Sequence, residues 1–267
     1  MYHREGYLRS GGYRLHYLLW GGRGPKLVLL HSMGMDAHAF DQLSEALKDE
    51  CQLLAFDILD HGDSEKPKEP IGLLEHTEVI RGGYRQLGFY PNILIGHSIG
   101  GMMGMILAAE HPDEIMGLVL VDIAPFEPGK RPPRPPPPEY FKDEEEARSY
   151  LIQRYPKFTP EALENRMKYA FTRDELGRLR LKGTGDAIRP SLTIDLWPYV
   201  ERIKAPTLLI IGSESDLVSG EAVERMRRAI SSLEVAVVEG ATHMVPQDKP
   251  AEFERCIRSF IKRFPGS

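Results

Sequence analysis

Residues 93–101 read Ile-Leu-Ile-Gly-His-Ser-Ile-Gly-Gly, and this stretch decides the fold. An apolar run leads into a serine between glycines, and the pattern predicts a buried strand, a tight turn and then a helix. Gly96, Ser98 and Gly100 fit G-x-S-x-G, in which a strained strand-to-helix turn exposes a serine hydroxyl. Glycines suit such a turn because a Cβ on either side would clash with the backbone. Taken alone, an incidental serine in a glycine-rich turn explains the residues equally well.

The composition narrows the class of protein. A chain of 267 residues with 42% apolar residues fits one large α/β unit with an insertion. A net charge of -5 and the lack of a basic block argue against a nucleic-acid partner. The N-terminus lacks the apolar segment of a signal peptide, and no run is long enough to cross a membrane, so we expect a cytoplasmic protein without a membrane partner. The sequence does not indicate the oligomeric state.

Apolar runs alternate with helical patterns along most of the chain. After an antiparallel strand pair at residues 7–20, strands are predicted at residues 26–30, 52–57, 93–97, 118–122, 207–211 and 234–238. Helices are predicted between them at about residues 40–48, 74–87, 100–110, 220–230 and 251–264. The fold class is therefore α/β, with a mostly parallel sheet covered on both faces.

Residues 125–195 differ in character from the rest. Residues 125–138 are rich in proline, and we expect them to serve as a stiff connector or, as an alternative, as a ligand for a proline-binding module. Residues 143–192 are predicted as helices, with start signals at Thr159-Pro160-Glu161 and Thr172-Arg173-Asp174-Glu175. We therefore predict a core of residues 1–124 and 196–267, with an inserted helical cap at residues 125–195, after the strand that ends at Asp122.

A serine nucleophile needs a base within hydrogen-bond reach and a carboxylate that orients the base. Asp216 and His243 lie in loops that follow predicted strands, where catalytic groups of an open α/β sheet collect. Glu214, a loop neighbour, and Asp122, at the end of another strand, are alternatives to Asp216 as the orienting acid.

With the order Ser98, Asp216, His243, the sequence resembles the α/β-hydrolase fold superfamily over nearly its whole length. The run Asp122-Ile123-Ala124-Pro125 and the helical insertion are similar to the serine esterase-like branch. The resemblance implies that Ser98 is the nucleophile, His243 the base and Asp216 the orienting acid. It also implies an oxyanion hole formed by the backbone N–H groups of Met33 and Ile99.

The chain departs from the superfamily pattern at two places. His31-Ser32 stands where His-Gly is usual, which affects the oxyanion loop beside Met33. The loop of residues 57–64 has lost glycines of a related Asp-x-x-Gly-x-Gly-x-Ser loop, which is scaffolding and carries no chemistry.

The expected reaction is hydrolysis of small to medium acyl esters by a carboxylesterase, without a metal or organic cofactor. A serine at this position argues against dehalogenases and epoxide hydrolases of this fold, which use an aspartate. Carbon–carbon bond hydrolysis, lactonase, thioesterase and perhydrolase activity remain alternatives, as does a ligand receptor of the same fold. The small-molecule ester would contact His31, Met102 and Trp197, although bracing of the oxyanion loop by His31 and packing by the other two are competing interpretations.

Overall fold

The computed structural model describes residues 3–125, 136–183, 185, 186, 188 and 193–264. Eight strands form one sheet in the order β1-β2-β4-β3-β5-β6-β9-β10. Their bounds are β1 Arg4–Ser10, β2 Tyr13–Trp20, β3 Lys26–Leu30, β4 Gln52–Phe56, β5 Asn92–His97, β6 Ile115–Val121, β9 Thr207–Gly212 and β10 Leu233–Val238. β1 and β2 form the predicted antiparallel hairpin, and β2 also pairs antiparallel with β4. All other neighbours are parallel, which confirms the predicted α/β class.

Helices cover both faces of the sheet. They are α1 Asp41–Leu47, preceded by a 3-10 helix at Ala37–Phe40, then α2 Leu73–Gln86, α3 Ile99–Glu110, α7 Gly220–Ala229, α8 Val245–Asp248 and α9 Pro250–Ile261. One buried apolar cluster contains Val28, Leu94 and the side chains of α3, and a second contains Leu29, Ile95 and the side chains of α9. Adjacent residues of β3 and β5 thus face opposite cores, as expected of strands buried on both sides. Among the described helices, none has the length and apolar character that a bilayer crossing requires.

The described residues between β6 and β9 lie outside the main sheet. Its described part holds helices α4 Glu144–Arg154, α5 Pro160–Tyr169 and α6 Trp197–Val200. The start signal at Thr159 is correct, because its side chain accepts a hydrogen bond from the Ala162 N–H and Pro160 is the first residue of α5. Most of the proline-rich tract lies outside the described residues.

The second predicted helix start, at residues 172–175, is wrong. Phe171–Arg173 (β7) and Leu179–Leu181 (β8) form a small antiparallel hairpin. The Asp174 carboxylate accepts hydrogen bonds from the N–H groups of Leu176 and Arg178 and closes the hairpin turn in place of capping a helix. Aspartate serves both purposes with the same acceptor atoms, so the local sequence does not distinguish them.

Candidate active site

Ser98 lies at the sharp turn between β5 and α3. Its backbone has φ 52° and ψ −112°, a conformation that costs energy for a residue with a side chain. The Ser98 N–H donates to the Val121 carbonyl at 3.0 Å, which ties the turn to the end of β6. The side chain makes no capping hydrogen bond to α3, so its hydroxyl is not used by the helix.

The glycines on either side of Ser98 are required by space. A Cβ on Gly96 would lie 2.3 Å from the Gly100 carbonyl oxygen, and a Cβ on Gly100 would lie 2.2 Å from the Leu30 carbonyl oxygen. Real Cβ atoms do not approach backbone atoms so closely. The strand–turn–helix setting and the need for glycine are thus both as predicted.

His243 lies in the loop between β10 and α8, and its ring is almost completely buried. Nδ1 is 2.7 Å from Oδ2 of Asp122, 121 residues earlier in the chain. A carboxylate accepts and does not donate, so Nδ1 carries the proton and donates it to Asp122. The other ring nitrogen, Nε2, is then an acceptor, as a general base requires.

Asp122 follows β6 directly and is fully buried. Its carboxylate also accepts hydrogen bonds from the Ser215 hydroxyl at 2.5 Å and from the Gly212 N–H at 3.1 Å. Burial alone would raise the pKa of Asp122, but the hydrogen bonds from His243, Ser215 and Gly212 outweigh it and hold that pKa below its usual value. The carboxylate is therefore ionised at neutral pH.

The structure does not bring Asp216 to His243, which corrects the sequence assignment. Asp216 is exposed, and Asp122 occupies the position beside Nδ1 that was expected for it. The last residue of β9, Gly212, and Ser215 in the loop after it donate hydrogen bonds to the Asp122 carboxylate. This part of the chain therefore supplies hydrogen-bond donors and does not supply the carboxylate. Glu214, the other loop candidate, pairs with Lys157 of the insertion.

His97 supports the loop that carries His243. Its Nε2–H donates to the His243 carbonyl oxygen at 2.8 Å, and the two ring centroids are 4.9 Å apart. Burial and the neighbouring His243 lower the pKa of His97 to about 3, so its ring is neutral in ordinary buffers. This role was not predicted from the sequence, where His97 was only the variable residue before Ser98.

The turn of residues 32–35 carries the predicted oxyanion donor Met33. The Met35 N–H donates to the Ser32 carbonyl at 3.0 Å, and Gly34 has φ +77°, the pattern of a type II turn. His31 Nδ1 donates to the same Ser32 carbonyl at 2.8 Å. The carbonyl of the Ser32–Met33 peptide group is thus held by two donors. Because a peptide group is planar and trans, this fixes its N–H on the opposite side.

His31 is a brace in this structure. Its Nε2 accepts a hydrogen bond from the Ile58 N–H at 3.0 Å, so both ring nitrogens are used within the protein. Burial and the neighbouring His61 lower the pKa of His31 to about 3, which keeps the ring neutral. The amide N–H groups of Met33 and Ile99 themselves have no hydrogen-bond partner among the described residues.

Residues 27–255 match the sequence profile of the alpha/beta hydrolase family. The chain belongs to the alpha/beta hydrolase family. It is 28% identical over 256 residues to 2-(acetamidomethylene)succinate hydrolase of Mesorhizobium japonicum, covering 90% of this chain and 89% of that protein. The crystal structure of E-2-(acetamidomethylene)succinate hydrolase superimposes with a TM-score of 0.88 at 26% identity, over 98% of this chain and 100% of the other.

Two further relatives of this hydrolase differ in their named activities. An esterase of Mycobacterium tuberculosis is 28% identical over 262 residues, covering 91% of this chain and 85% of its own. N-formylmaleamate deformylase of Pseudomonas putida is 25% identical over 265 residues, covering 96% of each chain. These relatives support a serine hydrolase as the kind of enzyme, while their substrates differ from one to the next.

Met102 and Trp197, which we expected to contact the substrate, lie in two different environments. Met102 is buried on α3 within the apolar cluster that also contains Ile99. Trp197 begins α6, and the Arg225 guanidinium of α7 lies 3.7 Å from the centroid of its ring. Packing accounts for both side chains, and their contact with substrate stays a prediction.

One group of described side chains has the residue types of a metal site, namely His16, Asp57 and Asp63, whose ligand atoms lie within 4.8 Å of one another. The oxygens of Asp57 already accept hydrogen bonds at 2.7 Å from His16 Nδ1, the Ala37 N–H and the Asp63 N–H. The group therefore joins the loop after β4 to the start of the 3-10 helix, which is the scaffolding role expected of residues 57–64.

Proposed function

We propose that the protein is a serine hydrolase that cleaves small to medium acyl esters through an acyl-enzyme on Ser98. His243 is the general base and acid, and Asp122 orients it. The observation that carries this proposal is the 2.7 Å hydrogen bond between His243 Nδ1 and a buried, ionised Asp122. A carboxylate in this position selects the tautomer that leaves Nε2 free to take a proton from a serine hydroxyl.

In the proposed reaction, Ser98 Oγ attacks the carbonyl carbon of the ester while His243 Nε2 accepts the hydroxyl proton. The tetrahedral intermediate collapses, the bond to the alcohol oxygen breaks, and His243 gives its proton to the departing alcohol. A water then attacks the acyl-enzyme, with His243 accepting one of its protons and returning it to Ser98 Oγ as the acid leaves. Asp122 stays ionised throughout and stabilises the imidazolium that forms twice in the cycle.

We place the developing oxyanion between the N–H groups of Met33 and Ile99. Ile99 is the first residue of α3, so its amide belongs to the unpaired N–H groups at a helix N-terminus, where negative charge is favoured. The Met33 amide is aimed by the clamped Ser32 carbonyl. Each donor of this kind contributes about 3–4 kcal/mol to transition-state binding.

We further propose that residues 125–195 form a cap that limits the size of the substrate. Two glycines of the insertion support this, because each packs closely against a loop beside the site. A Cβ on Gly185 would lie 2.9 Å from Met33 Cγ, and a Cβ on Gly183 would lie 2.5 Å from the Asp60 carbonyl oxygen. A site covered in this way suits small to medium acyl groups better than long lipids or polymers.

A second candidate is hydrolysis of an N-acyl group on a small carboxylic acid. Two relatives that match nearly the whole chain are named for such compounds, one with an acetamido group and one with an N-formyl group. The same three side chains serve this reaction, with a nitrogen as the leaving atom. Carbon–carbon, lactone, thioester and peracid chemistry stay alternatives from the sequence.

Turnover of a matched substrate panel tests the ester assignment. The panel contains p-nitrophenyl acetate, p-nitrophenyl butyrate, a vinylogous diketone and an N-acyl enamide that carries two carboxylates. We expect the esters to be cleaved with the highest kcat/KM and Ser98→Ala to abolish their turnover. Turnover of the diketone or the enamide alone would contradict the ester assignment while retaining Ser98, and ester turnover that survives in Ser98→Ala would contradict the site.

A further inference from the structure

We propose that Arg166 of α5 is a positioning residue that holds the oxyanion turn of residues 32–35 in its active shape. It acts through the Gly34 carbonyl and the Asp36 carboxylate, and not by touching substrate. The inference rests on the proposed function, because it concerns the geometry of the Met33 donor. It gives the insertion a part in catalysis in addition to enclosing the substrate.

The Arg166 guanidinium reaches from α5 to Gly34 within the turn and to Asp36 directly after it. Nη1 lies 2.6 Å from Asp36 Oδ2, and Nη2 donates to the Gly34 carbonyl oxygen. The other carboxylate oxygen of Asp36 accepts from the His38 N–H at 3.1 Å and so caps the 3-10 helix. One planar side chain therefore fixes Gly34 relative to the first residue after the turn.

The contact is shielded from water, unlike most ion pairs of the insertion. Arg166 and Asp36 are each about 5% exposed. Burial raises the pKa of Asp36, and the Arg166 guanidinium opposes that rise. Removal of Arg166 would leave a buried carboxylate without its cation, and Asp36 would then have to take up a proton or move toward water.

The two halves of the turn are held from opposite sides. On the sheet side, His31 Nδ1 donates to the Ser32 carbonyl, as described above. On the insertion side, Arg166 holds the Gly34 carbonyl. The Met33 amide lies on the segment between these two held carbonyls, so its direction depends on both. Without Arg166, the Gly34–Met35 peptide group keeps only the hydrogen bond from the Met35 N–H to the Ser32 carbonyl, so the direction of the Met33 N–H becomes less defined.

Other contacts dock α5 on the same segment without touching the turn. Asn165 Nδ2 donates to Asp41 Oδ2 at 2.8 Å, and the Tyr169 ring stacks on His38 with centroids 3.4 Å apart. We expect these contacts to keep α5 in place when Arg166 is changed. A substitution at Arg166 therefore tests the hydrogen bond to the Gly34 carbonyl, and it affects the docking of the insertion less.

The test compares Arg166→Met and Arg166→Lys with Arg148→Met. Arg148 pairs with Glu164 on the exposed side of α4 and α5, so its variant removes an arginine and an ion pair of the insertion far from the turn. The readout is the ratio of kcat for p-nitrophenyl acetate to kcat for its thiono analogue, in which sulfur replaces the carbonyl oxygen. Sulfur accepts hydrogen bonds poorly, so the oxyanion hole favours the oxygen ester. The ratio is independent of the fraction of folded enzyme.

We expect Arg166→Met to lower this ratio at least fivefold with less than a threefold change in KM, and Arg166→Lys to lower it less. Arg148→Met should leave it within twofold of the wild type. An unchanged ratio in Arg166→Met, whatever its thermal stability, would overturn the inference and leave the proposed function intact. If Arg166→Met does not fold, Asp36→Asn, which keeps the acceptor for the His38 N–H, replaces it with the same expectation.

A second measurement separates this inference from the proposed function. Amide hydrogen exchange of the peptide that spans residues 31–36 should be at least fivefold faster in Arg166→Met than in the wild type, and unchanged in Arg148→Met. If the wild type shows no turnover that depends on Ser98, the proposed function fails, and the exchange rates alone decide whether Arg166 holds the turn. Equal exchange in all three proteins would overturn the hold.

Discussion

The side chain of Asp122 accepts a 2.7 Å hydrogen bond from Nδ1 of His243, and three donors in all converge on its buried carboxylate. Two of these donors, Ser215 and the Gly212 N–H, come from the end of the next strand in the sheet. The Asp122 carboxylate is thus held by the end of β9 and by the loop after it, the same loop that contains Asp216. Asp122 thus lies directly after β6, which pairs with the strand that leads into Ser98.

The first prediction compares two aspartates. Asp122→Asn keeps the size of the side chain but allows its amide to donate to Nδ1, which favours the wrong tautomer of His243. We expect kcat for p-nitrophenyl butyrate to fall about 10³–10⁴-fold. Asp216→Asn, the matched control on the exposed loop, should stay within about twofold of the wild type. A large loss in Asp216→Asn with little loss in Asp122→Asn would restore the assignment made from sequence.

The sequence predicted most of the fold because the central parallel strands are mainly apolar runs between polar loops. It predicted Ser98 and His243 as site residues because both follow such strands. It assigned the acid to Asp216 with Asp122 as an alternative, and the structure places Asp122 beside His243, since β6 and β9 are neighbours and both end beside the His243 loop. A physical signal was present: Asp122 ends a fully apolar strand, whereas Asp216 lies among polar residues, and the acid of a triad must be desolvated.

Other features depend on distances that no local pattern encodes. The hold of Arg166 on Gly34 joins residues 132 positions apart, and the brace from His31 depends on the shape of a turn. The hairpin of β7 and β8 was predicted as a helix because Asp174 fits a helix cap and a turn equally well. The sequence therefore places groups at the sheet edge but does not show which side chains contact one another.

The oxyanion donor of Met33 is tested by removing only its N–H. Met33 occupies the second position of a type II turn, where proline is favoured, so Met33→Pro deletes the donor and preserves the turn. We expect kcat to fall about 10²–10³-fold with little change in the thermal midpoint. Met33→Ala, which keeps the N–H and loses the side chain, should lose less than about tenfold. Equal losses in the two variants would assign the effect to the side chain and contradict the donor.

Stability should fall on acidification because of buried neutral histidines. His76 is 1% exposed, and neither of its ring nitrogens has a hydrogen-bond partner in the described part of the chain. Burial and, to a smaller extent, the neighbouring His61 lower its pKa to about 4. A lowered folded pKa means that the unfolded chain binds more protons, so this stability is complete above about pH 6.5 and is lost as pH falls toward 4. Between pH 7 and pH 5, we expect the free energy of unfolding to fall by about 2 kcal/mol less in His76→Leu than in the wild type, as measured by urea unfolding. Parallel pH profiles would contradict this.

The crowding around Gly96 gives a prediction for stability. Gly96→Ala would place a Cβ 2.3 Å from the Gly100 carbonyl oxygen, and backbone atoms cannot move aside as a flexible side chain does. We expect a loss of about 3 kcal/mol in the free energy of unfolding, measured with urea. Gly22→Ala is the control, because a Cβ there meets no atom of the described residues within 4 Å, and it should change stability by less than about 0.5 kcal/mol. A wild-type stability for Gly96→Ala would show that the elbow is looser than described.

The central claim is that Ser98, activated by His243 and Asp122, is the nucleophile. Labelling with a fluorophosphonate, followed by peptide mass spectrometry, tests it most directly. We expect one adduct on the peptide that contains Ser98 and no adduct in Ser98→Ala. Labelling should be at least a hundredfold slower in Asp122→Asn but unchanged in Asp216→Asn. An adduct that persists in Ser98→Ala, or one that maps to another residue, would contradict the account.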